Sequence, residues 1–349
     1  MQWLFLSSGL FLGWSLGAND AANVFGTAVG TKMVRFQTAA LVAGVFVVLG
    51  AVSGVTGAAG TLGRLGSVDA PAGAFGVALA AGLAVLLLLK RSGLPVSTTQ
   101  AIVGAIVGWN LYTGRPTDTT VLSRIVSSWI VCPLLSGAIA AVLFVAARAA
   151  MPHVRIHLLE VDAWTRAGLL AVGGFGAYSL GQNNIANVMG VFLKVSPFPE
   201  AVTLGPLRVS SVEMLFLAGG LSIATGIATY SHRVMQRLGA GLTSLSPLAA
   251  LIVVFATATV LFLFASPGLS QFLRGHGLPA LPLVPVSSSQ AVVGAILGIS
   301  LVRRSPVKWR TVGGIVAGWV LAPVVAALVS LVGLFVLANV FRLPVSAPG

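Results

Sequence analysis

Charge is what this sequence has least of. Only 8% of its 349 residues are Asp, Glu, Lys or Arg, and just 7 are acidic, where a soluble domain carries about 25% charged residues. So few charges cannot cover a water-facing surface, which excludes the two or three soluble domains that the length alone suggests. The single cysteine, Cys132, excludes an intramolecular disulfide. It lies in an apolar run and reads as a buried core thiol. No nucleophile–base pair, metal triad or P-loop is present, so the sequence supports neither a membrane enzyme nor built-in ATP hydrolysis. His153 and His157 have i, i+4 spacing but lack a third ligand, and read as a solvated loop. No basic stretch precedes the apolar start Met1–Leu6, which therefore reads as a retained span and not a cleaved signal.

Apolar residues supply 57% of the chain, and the mean hydropathy is +1.00. This is the composition of an all-α integral membrane protein. The net charge of +13 does not point to nucleic acid. The basic residues sit in short loops between apolar runs, not on one face.

A hydrocarbon core of about 30 Å needs roughly 20 helical residues. Long apolar candidates lie near 38–60, 72–90, 121–147, 210–228, 245–265 and 311–341. Four further segments are interrupted by Gly, Pro and small polar residues. Segments 2–31 and 166–194 are long enough to be helices broken near the middle, and 94–112 and 284–302 read as hairpins or half-helices.

The interrupted segments come in pairs. GANDAANVFG at 17–26 matches GQNNIANVMG at 181–190 in 6 of 10 positions, and LPVSTTQAIVGAIVG at 94–108 matches VPVSSSQAVVGAILG at 284–298 in 10 of 15. Trp129 and Pro133 recur as Trp319 and Pro323 at the same offset. The chain is thus a duplicated unit: 1–147, a cytoplasmic connector at 148–165, and 166–349. About five segments cross per unit, and an odd number sets the second unit upside down. The loop 230–244 belongs to an insertion in the second copy.

The positive-inside rule fits an inverted-topology repeat with both termini outside. The inner side then holds Lys32, Arg35, Lys90, Arg91, Arg148, Arg155, Arg166, Arg233, Arg237, Arg303, Arg304, Lys308 and Arg310. The outer side holds Arg64, Arg115, Arg124, Lys194, Arg208, Arg274 and Arg342.

Inverted repeats with discontinuous helices are a transporter pattern, in which substrate and coupling ions bind near the bilayer midplane at half-helix ends. Ser97, Thr98, Thr99 and Gln100, with Ser287, Ser288, Ser289 and Gln290, have the look of helix N-termini. Their hydroxyls and free N–H groups suit an anion. Asn19, Asp20 and Asn23, with Asn183, Asn184 and Asn187, offer hard oxygens suited to an alkali cation or a proton. Asp20 is the one carboxylate placed well inside a span. Asp69, Asp118, Glu160, Asp162, Glu200 and Glu213 fall in loops or near span ends. An intramembrane carboxylate costs a few kcal/mol and is functional by default.

GANDAANVFGTAVG and PVSTTQ, each with a second copy, resemble the PiT family of inorganic phosphate transporters, and the resemblance covers both halves. It implies a cation-coupled secondary transporter of the cell (inner) membrane that imports inorganic phosphate with Na⁺ or H⁺. It also implies an Na⁺ site at Asn19, Asp20 and Asn183, no other cofactor, and a homodimer. The chain departs from the family pattern at Asn183-Asn184, where a second carboxylate is expected, and at Gln100 and Gln290, where many members carry His. One carboxylate fewer leaves fewer acceptors for a phosphate O–H, so a sulfate permease on the same architecture is the alternative. An uncoupled anion channel is the reading from another class.

Overall fold

The computed structural model describes residues 2–54, 59–92, 96–151, 158–204, 207–239 and 245–347. Helices α1 (Gln2–Gly30), α2 (Phe36–Ser53), α3 (Ala59–Leu65), α4 (Pro71–Ser92), α5 (Thr98–Thr113) and α6 (Thr119–Ala150) build the first copy. The second contains α7 (Leu158–Met189), α8 (Ser211–Gly239), α9 (Pro247–Ala265), α10 (Pro267–Gly275), α11 (Ser288–Arg303) and α12 (Trp309–Asn339).

All six long apolar candidates are helical. Among the described residues, six helices are long and apolar enough to cross a membrane: Phe36–Ser53, Pro71–Arg91, Thr119–Ala150, Ser211–His232, Pro247–Ala265 and Trp309–Asn339. The outward faces of α6 and α12 carry Ile130, Leu134, Val142, Val320, Leu328 and Val332, all exposed. Such continuous apolar surface is stable only against lipid.

The two copies pack in matching ways, with two pairings exchanged between them and one within each. Helix α1 packs on α8 as α7 packs on α2, α5 on α12 as α11 on α6, and α1 on α4 as α7 on α9.

The expected break in the first and seventh helices is corrected: α1 and α7 run unbroken for 29 and 32 residues. Neither has an internal proline. Gly17 and Gly181, which read as breakers, serve close packing instead. A Cβ on Gly17 would strike the carbonyl of Ile223, and one on Gly181 that of Val47. The polar motifs therefore sit on continuous helices and reach sideways.

Three other expectations change. Most of 148–165 is helix, with α6 ending at Ala150 and α7 starting at Leu158. Residues 152–157 of the expected connector, with His153 and His157, lie outside the described residues. Helix α8 continues through most of the supposed loop 230–244, to Gly239; 240–244 are not described. The span near 38–60 ends at Ser53, and α3 is a separate short helix. Finally, the helical architecture carries one small β pair: β1 (Ala201–Leu204) and β2 (Leu207–Ser210) pair antiparallel between α7 and α8. Val202 and Val209 face each other across that pair, as β-branched residues favour.

The two PVS segments are half-helices. Helices α5 and α11 have 16 residues each, about 24 Å of helix, short of the hydrocarbon thickness. Each starts at a serine cap after extended backbone: Ser97 accepts from the Gln100 N–H and Ser287 from the Gln290 N–H.

Candidate functional site

The site forms where the second half of α1 and the last two turns of α7 meet the starts of α5 and α11. All fourteen residues singled out in the sequence are buried there, none more than 4% exposed.

Asn19 and Asn183 do the same job in each copy. The Asn19 amide donates to the Val96 carbonyl at 2.8 Å and accepts from the Val96 N–H at 3.4 Å. Asn183 donates to the Val286 carbonyl at 2.8 Å and accepts from the Val286 N–H at 3.0 Å. Each side chain thus pairs with one residue's backbone as a neighbouring strand would, satisfying peptide groups that hydrocarbon cannot. These two clamps hold the extended segments that aim the half-helices. They leave each amide oxygen its second lone pair for any cation.

Asp20 is where the copies join. Its Oδ2 accepts from the Ser288 hydroxyl at 2.9 Å and from the Asn184 amide at 3.4 Å. Its Oδ1 accepts from Asn19 at 2.6 Å. A carboxylate of the first copy is therefore held by the half-helix and the Asn motif of the second. The two ion pairs among the described residues, Arg115–Asp69 and Arg166–Asp162, lie elsewhere. No cationic side chain among them neutralises Asp20. It is the one acidic residue buried among the described residues.

The remaining motif residues complete a continuous network. Asn23 donates to the Ser288 hydroxyl at 3.1 Å. Asn187 donates to Thr99 at 2.9 Å and to the Asn184 oxygen at 2.8 Å. Thr99 reaches the Val286 carbonyl of the opposite copy at 3.3 Å. The Ser287 and Ser289 hydroxyls are 3.1 Å apart. Within this network Asn23 Oδ1, Asn187 Oδ1, Gln100 Oε1, Gln290 Oε1 and Thr98 Oγ1 are buried with no hydrogen-bond partner. Such atoms are rare because each costs on the order of 1–3 kcal/mol, and they call for an explanation. Carbonyl-type oxygens of this kind suit a hard cation or a proton-bearing ligand.

One buried residue, Gln182, was not singled out in the sequence. Gln182 is buried with an unpartnered Oε1 where the first motif has Ala18; the mismatch inside an otherwise matching motif was the available signal. Cys132 is buried as expected, and its thiol lies 3.6 Å from the Ser287 carbonyl.

Two cavities carry basic residues in their linings. One of about 810 Å³ is lined by Met33, Phe144, Arg148, Asp162, Leu248 and Arg303, among others. The other, about 440 Å³, is lined by Gly60, Arg64, Ser67, Asp118, Gly190 and Lys194, among others. Gly190, in the smaller lining, lies just past the end of α7, three residues beyond Asn187 in sequence.

The fold and this chamber define a multi-pass membrane protein with one buried polar site shared by two repeats. The profile of the phosphate transporter family matches residues 16–160, 156–330 and 276–346, and the chain belongs to that family. A relative from Thermococcus kodakarensis, named "Putative phosphate permease TK2061", is 26% identical, with 94% of this chain and 96% of that protein covered. A "Putative phosphate permease" from Haemophilus influenzae is 24% identical, with 98% of each chain covered. A solved structure described as "The sodium-dependent phosphate transporter" shares the fold, with a TM-score of 0.74 at 22% identity over 96% of this chain and 98% of that one.

Proposed function

We propose that this chain is a secondary transporter that imports inorganic phosphate across the cytoplasmic membrane, driven by the inward movement of Na⁺ or H⁺. Its family membership supports the substrate, and the similar fold of a protein described as sodium-dependent supports the coupling ion. The observation that carries the reading is Asp20. An unneutralised carboxylate held between two repeats by neutral donors has a function only if a cation or proton visits it.

In this reading the anion binds at the starts of α5 and α11. The hydroxyls of Ser97, Thr98, Ser287 and Ser289 and the free N–H groups of the first turns supply donors to its oxygens, and Thr99 and Ser288, whose hydroxyls donate to Val286 and Asp20, line the same place. Gln100 and Gln290 lie beside it. Asp20, Asn23, Asn184 and Asn187 form the cation side, with Asn19 and Asn183 as positioning residues. Binding the cation brings positive charge next to the anion in a low-dielectric chamber, which is how one solute raises the affinity of the other.

The units 1–147 and 166–349, on either side of 148–165, stand in opposite orientation, with both termini outside. The cavities support this sidedness. The larger gathers Arg148 and Arg303, both inner by the charge rule, and the smaller gathers Arg64 and Lys194, both outer. Alternating access then amounts to rocking the copies about the shared network.

Concentrative uptake in proteoliposomes tests the proposal. An imposed Na⁺ or H⁺ gradient should drive labelled phosphate above its equilibrium level. Purely downhill flux would make the chain a channel. Sulfate inhibition equal to or stronger than that by unlabelled phosphate would favour the sulfate reading, which the Asn184 position motivates.

A further inference from the structure

Trp129 and Trp319 occupy the same place in the two copies, each four residues before the proline inside α6 or α12. Both lie about 15 Å into their helices, inside membrane-spanning helices of 32 and 31 residues. Both rings are half-buried, yet both indole Nε1 atoms are fully buried and without a hydrogen-bond partner. An indole N–H is a donor only, so a buried one without an acceptor is costly. By contrast, Trp14 donates to Thr229 at 2.9 Å and Trp109 to the Val345 carbonyl at 2.8 Å.

Helix register locates the pair. A Cβ on Gly294 of α11 would strike the Pro133 backbone, and one on Gly104 of α5 would strike that of Pro323. The next contacts run in the same sense, Gly137 with Gly294 and Gly298, and Ala327 with Gly108, so α6 lies parallel to α11 and α12 to α5. Stepping back four residues on each helix sets Trp129 level with Gln290 and Trp319 level with Gln100. Side chains on a helix lean toward its N-terminus, so each indole covers the first turn of a half-helix. Cys132, three residues after Trp129, already touches the Ser287 carbonyl there. Each half-helix start thus has an unpartnered N–H at its level, and its own glutamine carries an unpartnered Oε1.

We infer that Trp129 and Trp319 are substrate-contacting residues whose indole N–H groups donate to the oxyanion at the half-helix starts. Donor and acceptor together suit an oxyanion that still carries a proton, such as hydrogen phosphate. The inference rests on the anion site proposed above.

The test replaces each tryptophan in the full-length protein by 3-benzothienylalanine, which keeps the ring shape and lacks the N–H, with W129F/W319F as a second, fully genetic variant. Binding of labelled inorganic phosphate to purified protein is measured with the melting temperature of the ligand-free protein. Loss of two donors to a charged ligand should raise Kd about tenfold or more, with binding capacity and melting unchanged. An unchanged Kd, or lowered melting with Kd intact, overturns the inference. S97A/S287A separates it from the reading beneath it. If that variant loses phosphate affinity while the benzothienyl proteins do not, only the tryptophan inference fails; if S97A/S287A binds as the parent does, the anion site itself fails.

Discussion

The two copies of the Asn motif make the same clamp and then diverge. Asn19 and Asn183 grip Val96 and Val286 in matching geometry. One residue on, Asp20 binds the Ser288 hydroxyl of the opposite copy. Its counterpart Asn184 does not engage Thr98, the residue matching Ser288, whose hydroxyl is left buried and unpartnered. Asn184 turns instead to Asp20 and Asn187. The difference separates what builds the chamber from what makes it work. The clamp is a backbone requirement and is present twice, whereas the charge is present once.

The largest effect should come from removing that charge. Asp20→Asn is nearly isosteric, so insertion and expression should hold while concentrative uptake falls by at least 100-fold, as expected for loss of a buried interaction of several kcal/mol. Uptake at the parental level in proteoliposomes would contradict the assigned role. Asn184→Asp would sharpen the comparison from the other side. A second carboxylate gives Thr98 an acceptor and adds a cation-binding charge, so the dependence of uptake on the coupling cation should become steeper. An unaltered cation titration would mean that the second motif does not touch the cation.

Ser288→Ala against Thr98→Ala is a smaller contrast. The first removes the donor to Asp20 and the acceptor of Asn23, and should lower the stability of the ligand-free protein by about 1–3 kcal/mol. The second removes no intramolecular hydrogen bond and should stay within about 0.5 kcal/mol. Equal shifts in thermal unfolding would deny the asymmetry.

The smallest effect concerns another first-copy feature. Arg115 pairs with Asp69 at 2.6 Å, and the Ala347 N–H donates to the same carboxylate at 3.0 Å. Burial raises the Asp69 carboxyl, but the Ala347 N–H and Arg115 outweigh it and hold it below the usual carboxylate range. The second copy has Ser305 where the first has Arg115. A depressed folded-state pKa means that the stabilisation is complete above the unfolded value of about 3.9. It is lost as pH falls through the folded value. Partly exposed, the pair contributes no more than about 1 kcal/mol. Docking of the C-terminal tail, followed by limited proteolysis, should therefore be constant from neutral pH down to about 5 and weaken only below about 4. Loosening between pH 7 and 5 would point to another group.

The repeat, the long spans and the half-helices were legible because their signals are local: apolar runs, Pro-Val-Ser starts and a duplicated motif. Asp20 stood out because an intramembrane carboxylate needs no structure to be conspicuous. The unbroken course of α1 and α7 was not legible. Gly17 and Gly181 read as breakers, whereas their role depends on the carbonyls of Ile223 and Val47 pressing against them. The division of labour among the asparagines was hidden for a related reason, since only the fold decides which of them meets backbone and which meets a hydroxyl. The recurrence of Trp129 and Trp319 was visible, but the state of their N–H groups is a matter of burial. The β1–β2 pair was missed because two four-residue strands between α7 and α8 leave little periodicity to read.

Binding of labelled phosphate to the purified protein, titrated across Na⁺ concentration in the parent and in Asp20→Asn, bears most directly on the central claim. Sodium should tighten phosphate binding to the parent and leave the variant's weaker binding flat. The same sodium response in both proteins would place the cation away from Asp20 and contradict the account.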